Sequence, residues 1–292
     1  LLTLDFMVKL TCPQLLTVCI VVLFHFMATA QVPVVPFGFA PWEYDEEMHY
    51  SGAKISDTYT TPPVSPVRAS AEWEEIDALT VTWTDYITTV REIVRYAQEE
   101  CKVYIVCSDS NSVKSDLTSH DIPLENIYCI EADYNTIWCR DYGQWNIYTN
   151  QVDSLYLGEW IYNRPRPEDD AVPEVISEVT GIPIYQTTEE PYELVSTGGN
   201  FMCDGWGTGF SSKLILDAYQ GGGLTIEPQN EDTVDMIMEE FMGIHTYIKM
   251  ETLPYDEIHH IDMHLKLLDE ETLLVGEYPE GVADGPQIEE NL

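Results

Sequence analysis

Apolar positions along the chain alternate between short runs of period two and single stretches of helical period. From Asp77, "DALTVTW" reads as a strand, "YITTVREIVRYAQEE" as an amphipathic helix and "CKVYIVC" as a second strand. The alternation continues: "NIYCIEA" is strand-like, "QWNIYTN" and "VDSLYLG" suggest a hairpin, and "EDDAVPEVISEVTG" predicts a helix whose later part is entered through Pro173. "IPIYQT" is a further strand, "NEDTVDMIMEEFMG" a helix and "IHTYIKM" a strand, and "HIDMHLKLLDEETLLVGEY" closes as a hairpin turning at Asp269 and Glu270. Strands grouped around one helix of about a dozen residues predict an α/β fold and argue against an all-β sandwich. A dinucleotide fold is disfavoured because no G-x-G-x-x-G follows a strand; "YQGGGLTIEP" has the glycines without the helix and reads as a hairpin or blade turn.

The first seventy residues have a different texture. "LLTVCIVVLFHFMATA", Leu15 to Ala30, has Lys9 ahead of it and a small-x-small ending at Ala28 and Ala30, the layout of a secretory signal peptide over residues 1–30. An uncleaved anchor is the alternative, but the apolar run is short for a span and His25 interrupts it. The expectation is a secreted or extracytoplasmic protein with no stable membrane insertion after cleavage. Residues 31–70, with "QVPVVPFGFAPW" and "YTTPPVSP" flanking acids around Glu43 to Glu47, read as a proline-rich extended leader, and 71–292 as the catalytic region. Leu1 at the start, and a final "GPQIEENL" without an evident closing element, give the chain the look of being cut at both ends.

Its 292 residues are 45 % apolar, enough for one sizeable core. The formal net charge is −38, from 13 Lys+Arg against 51 Asp+Glu, which disfavours nucleic acid or an anionic membrane and attracts a cationic partner; solubility in a saline exterior is the plainer purpose. Five of the seven cysteines, at 101, 107, 129, 139 and 203, lie beyond the signal region, so at least one thiol must be free. No C-x-x-C spacing points to a zinc finger, and no cofactor is expected.

Three stretches carry candidate chemistry. In "YNTIWCRDYGQWN", residues 134–146, Trp138, Arg140, Asp141 and Trp145 put charge into an aromatic setting. Asp141 there needs a cationic partner, either Arg140 or a ligand; on a strand the two neighbours would face opposite ways, which favours the ligand. "STGGNFMCDGWGTG", residues 196–209, brings glycines, Gly199 with Asn200 among them, into a loop able either to line a site or simply to make two tight turns. In "HHIDMHLKLL", residues 259–268, strand alternation puts His260, Asp262 and His264 on one face, suited to proton transfer beside a fixed charge; zinc binding is the rival. A fourth signal, "YNRPRPEDD", places Arg164 and Arg166 in a proline-stiffened run as a fork for a carboxylate, or as partners of Glu168, Asp169 and Asp170.

Taken in order, "AEWEEIDALTVTW", "WCRDYGQW", "YNRPRP", "TGGNFMCDG" and "HHIDMHLK" resemble the bacterial, Porphyromonas-type peptidylarginine deiminases and the related agmatine deiminases of the guanidine-modifying superfamily, over roughly residues 71–280. The resemblance implies a pseudo-fivefold α/β propeller around a narrow channel, here with its last blade incomplete. It implies that Asp141 and Asp262 hold the substrate guanidinium from two sides and that His260 is the general acid and base. Trp138, Arg164, Arg166, Gly199 and Asn200 complete the implied substrate-binding set, the arginine pair receiving the terminal carboxylate of a peptide ending in arginine. The expected reaction is hydrolysis of arginine to citrulline in peptides or proteins, through a cysteine-linked adduct with release of ammonia; agmatine deimination, or guanidinium binding without catalysis, is the alternative. The family's nucleophile belongs to a glycine-rich segment beyond the His-Asp motif, so it is expected after residue 292 and this chain alone is expected to be inactive.

Overall fold

The computed structural model describes residues 58–292 except 151 and 218–228, with positions 35, 36, 38, 40 and 43 of the leader. The signal-peptide reading and the "YQGGGLTIEP" turn lie outside the described residues.

Two short strands, β1 (Thr58–Tyr59) and β2 (Val67–Ala69), precede an all-parallel sheet of β3 (Ala78–Thr82), β4 (Lys102–Cys107) and β5 (Ile127–Glu131) in that order. Helices α1 (Ile87–Glu100) and α2 (Ser110–Ser119) make the crossovers. Valines 90 and 94 recur one helical turn apart on α1, and both are buried with Val103, Ile105, Val113 and Leu117 against one face of the sheet. After the single turn α3 (Cys139–Tyr142), β6 (Trp145–Thr149) and β7 (Ser154–Tyr162) form the predicted antiparallel hairpin.

A pattern then repeats. The β6–β7 hairpin is followed by α4 (Pro167–Asp170), α5 (Val172–Thr180) and β8 (Ile184–Thr187), which pairs parallel to β7. Past β9 (Val195–Ser196), the antiparallel pair β10 (Met202–Cys203) and β11 (Thr208–Ser212) is followed by α6 (Glu231–Met242) and by β12 (Thr246–Met250), parallel to β11. A third antiparallel pair, β13 (Leu265–Leu267) with β14 (Leu273–Val275), leads into α7 (Gly285–Asn291). The largest sheet has the order β1-β8-β7-β6-β2, with β9 also pairing β7. Four separate sheets result, and among the described residues none closes into a barrel. The fold is mixed α/β.

The core differs from the single core expected from composition. Buried side chains form four clusters, two of which join successive units: the largest sets Trp145, Trp160 and Phe201 against Ile237, Met238 and Phe241 of α6, and another joins Val106 and Ile130 of the parallel sheet to Val172 and Ile176 of α5. A hairpin with one helix leaves a face of its sheet uncovered, and the helix of the following unit covers it. The end of the chain also differs: "GPQIEENL" is helix α7, with Ile288 buried and Asn291 Nδ2 donating to the Glu251 carbonyl at 2.9 Å. Seven residues with one buried apolar position leave too faint a period to recognise.

Local signals fix α6 well. Asn230 caps it, its side chain accepting from Thr233 N at 3.1 Å, and Glu231 and Asp232 place negative charge on the first turn. Gly243 ends it at φ 68, where an added Cβ would run into the Val67 carbonyl. Asn230→Ala should cost about 1 kcal/mol, seen as a melting temperature lower by roughly 2–4 °C; an unchanged melting curve would show that the cap is redundant with packing. No helix among the described residues is long and apolar enough to cross a membrane.

Candidate functional site

Residues 139–142 form a single helical turn, not a strand, so Arg140 and Asp141 diverge by about 100° rather than by alternation. Asp141 is 2 % exposed and faces the glycine loop; its Oδ1 accepts from Thr197 Oγ1 at 3.2 Å and from Gly199 N at 3.3 Å. His260 Nδ1 lies 3.5 Å from the same oxygen. The paired glycines make this approach possible. A Cβ at Gly198 would run into the Arg140 carbonyl, and one at Gly199 would overlap His260 Nδ1 and sit 2.9 Å from Asp141 Oδ1.

The predicted strand over 259–264 is also absent. Ile261–Met263 is a 3-10 turn, and three residues per turn replaces two-residue alternation. His260 and His264 are buried, whereas the Asp262 side chain keeps 32 % of its exposure, so the three do not share a face as expected. Asn200 fastens this turn to the glycine loop: its Oδ1 accepts from Ser212 N at 2.9 Å and from Ile261 N at 3.1 Å. Those contacts make Asn200 a support for His260. Asp262 Oδ2 is 4.0 Å from Arg140 Nε, and Arg140 also pairs with Glu72 and lies 5.6 Å over the Trp145 ring. Lys266 reaches the same Glu72.

Burial governs the electrostatics. It pushes the Asp141 carboxyl up to about 7, helped by the nearby Asp262 charge and opposed by Thr197, Arg164 and Gly199. Asp262 rises to about 6, again from burial, with Arg140 opposing. His260 is held well below its ordinary value by burial and then by the charges of Arg164, His259 and Arg140. Below neutral pH the Asp141–His260 contact is therefore a carboxyl beside a neutral imidazole, not an ion pair. A planar cation entering between carboxylates would favour their ionised forms, and the neutral ring is the form that accepts a proton.

Arg164 and Arg166 are both buried. Arg164 Nη1 donates to the Asn163 carbonyl at 2.9 Å, and its charge is felt by both Asp141 and His260. Arg166 binds the leader: Nε donates to Glu43 Oε1 at 2.8 Å, and Nη2 donates to Glu43 Oε2 at 3.1 Å and to the carbonyls of Pro36 and Gly38 at 2.7 and 2.8 Å. Trp138, half-buried, donates from Nε1 to the Val35 carbonyl at 3.2 Å. The acids next in sequence have other duties. Asp169 accepts from Asn135 N, Thr136 N and Thr136 Oγ1, and Asp170 accepts from Tyr162 N.

All five described cysteines are free thiols. Cys139 donates to the Thr80 carbonyl at 3.7 Å and is pushed up to about 11 by burial and then by Asp141. Cys203 donates to the Ser70 carbonyl and rises to about 12. Neither is a thiolate at neutral pH. Among the described residues no group of three or more His, Cys, Asp or Glu side chains is placed to hold a metal ion. A water-sized void lined by Ile147, Trp160, Leu194, Ile237 and Phe241 lies beneath α6 in the core, not at Asp141.

Sequence reasoning missed three residues. Thr197 and Glu72 sit inside the motifs "STGG" and "AEWEE", where a polar side chain next to a pair of glycines or a tryptophan could have been weighed. Glu43 carried no signal, because its partner is 123 residues away.

This fold is that of guanidino-group deiminases. It is similar to agmatine deiminase from C. jejuni, with a TM-score of 0.60, 21 % identity, and coverage of 77 % of this chain and 68 % of that one. It is similar also to the agmatine deiminase of Enterococcus faecalis, with a TM-score of 0.59, 16 % identity, and coverage of 74 % and 62 %. The family model of Porphyromonas-type peptidyl-arginine deiminases matches residues 65–290, and the chain belongs to that family. Its members are hydrolytic deiminases acting on guanidino groups.

Proposed function

We propose that this chain carries the guanidinium-binding and proton-transfer groups of a secreted deiminase that converts arginine in peptides or proteins to citrulline, favouring C-terminal arginine. The observation that carries the reading is the buried Asp141–His260 contact, with Asp262 near enough to raise the Asp141 carboxyl. Two carboxylates hold a planar cation and fix its carbon for attack. As the cysteine sulfur adds to that carbon, its thiol proton passes to the neutral His260 ring, which hands it to the departing nitrogen, and ammonia leaves a thiouronium adduct. Water, deprotonated by His260, then adds to the same carbon and expels the thiolate, leaving the ureido product. Burial keeps Cys139 and Cys203 protonated at neutral pH, so neither is proposed as that thiolate. The two successive hairpin–helix–strand units support the propeller architecture as part of the same proposal. The acidity of the protein suits a cationic substrate.

A second reading, agmatine as substrate, is favoured by one observation: Arg166 already has a carboxylate, that of Glu43. The test compares kcat/KM for a peptide ending in arginine and for agmatine on a longer protein containing the catalytic cysteine. A higher value on the peptide is expected, and a strong preference for agmatine would replace the peptide reading. The present chain should release no citrulline; release abolished by Cys139→Ala would place the nucleophile within it.

A further inference from the structure

The best-satisfied charge near the site belongs to a contact that the reaction does not use. Arg166 has 1 % of its side chain exposed and Glu43 6 %, and they meet in the two-pronged geometry with which an arginine holds any carboxylate. Arg166 Nη2 also serves the Pro36 and Gly38 carbonyls, and Nη1 donates to Tyr162 Oη at 3.4 Å. Glu43 is preorganised for this role, since its Oε2 accepts from Ala40 N at 2.7 Å. The same leader touches the site at two other points. Val35 accepts from Trp138, and a Cβ at Gly38 would come within 3.9 Å of Ile258, two residues before His260.

We propose that Glu43 is an internal stand-in for the substrate's carboxylate: seated on Arg166, it fills the anion receptor beside the guanidinium site, and the protein then selects guanidinium ligands without reading a carboxylate. This rests on the reading of Arg164 and Arg166 as that receptor. A ligand carboxylate arriving while Glu43 is in place meets a donor set already engaged and a buried like charge. Neutralising Glu43 reopens the receptor. The leader thereby sets substrate specificity: with Glu43 seated the site reads the guanidinium alone, and the preference for C-terminal arginine belongs to the state in which Glu43 has left Arg166.

The experiment measures, by calorimetry at pH 8, the binding of Nα-acetylarginine and of its amide to this chain, to Glu43→Gln and to the charge-neutral pair Glu43→Gln with Arg166→Gln. The unaltered chain should bind acid and amide within about 2-fold of each other. Glu43→Gln should bind the acid at least 10-fold more tightly and the amide within 2-fold of before, and the double variant should lose that gain, which a general loosening of the leader would not do. An acid preference of 10-fold already present in the unaltered chain, or an acid/amide ratio that Glu43→Gln leaves unmoved, overturns the proposal. N-acetylglycine, a carboxylate without a guanidinium, separates the two ideas in a nuclear magnetic resonance titration. If no guanidinium ligand binds any variant, the deiminase-site reading fails, and the proposal still stands or falls by N-acetylglycine binding to Glu43→Gln and to neither of the other two proteins.

Discussion

Asp141→Asn is expected to weaken binding of a guanidinium ligand by two to three orders of magnitude and, at pH 8, to raise the melting temperature. The first effect follows from removing one partner of a buried charge pair, which costs about 3–5 kcal/mol, or roughly 100-fold and upward in affinity. The second follows from the burial of the carboxyl. Burial moves this carboxyl from 3.8 to about 7, so at pH 8, where it is ionised, the fold is less stable by roughly 4 kcal/mol than with the proton in place. With a raised folded value, the native state holds a proton that the unfolded chain has released; the associated stability is complete below 3.8 and lost as pH rises through about 7. Asparagine escapes that loss while still accepting from Thr197 and Gly199. Affinity in the unaltered chain should correspondingly rise from pH 6 to pH 8 and then level off. Calorimetric titration with an arginine amide and thermal melts at pH 5 and pH 8 check all three. Unchanged affinity would remove Asp141 from the binding site, and equal destabilisation at both pH values would make it only an acceptor for the glycine loop.

How much of this was legible in the sequence depended on whether the signal was local. The strands β3 to β5, helices α1 and α6 and the β6–β7 hairpin follow from periodicity, because each buries a regular face several residues long. The segments around Asp141 and Asp262 do not. Both are single turns whose course is set by what packs across them: the Gly198–Gly199 backbone against α3, and Asn200 against the 261–263 turn. Reading them as strands gave the wrong faces. The alternation argument separated Arg140 from Asp141, and the turn separates them too, but it sends Arg140 toward Glu72 and Asp262 and so brings a protein cation beside Asp262. Burial of Arg164 and Arg166 was anticipated only as a pairing with nearby acids. That Arg166 would take a carboxylate from the leader is a tertiary fact with no periodic trace.

A second large effect lies away from the site, in a carboxyl pair that the fold buries. Glu159 on β7 and Glu174 on α5 are 6 % and 0 % exposed, and Gln186 Nε2 donates to both, to Glu159 Oε2 at 2.8 Å and to Glu174 Oε1 at 2.9 Å. Burial first, then the charges of Glu174 and Asp170, push the Glu159 carboxyl well above 4.5. Its contribution to stability is therefore complete below 4.5 and is lost as pH rises through the folded value, the same direction as for Asp141. Glu159→Gln keeps the shape and donor of the protonated acid and carries no charge to expel. Leaving a buried polar group uncompensated costs about 1–3 kcal/mol, so at pH 8 the variant should melt higher by several degrees, at roughly 2–4 °C per kcal/mol for a domain of this size. At pH 5, where the native acid is already protonated, the two proteins should melt together. Melting temperatures taken from pH 5 to pH 8 on both proteins give the comparison, and the slope remaining in Glu159→Gln reports Asp141 and the other raised carboxyls. Parallel curves would mean that Glu159 ionises freely in the fold, with Gln186 and the surrounding backbone compensating its charge.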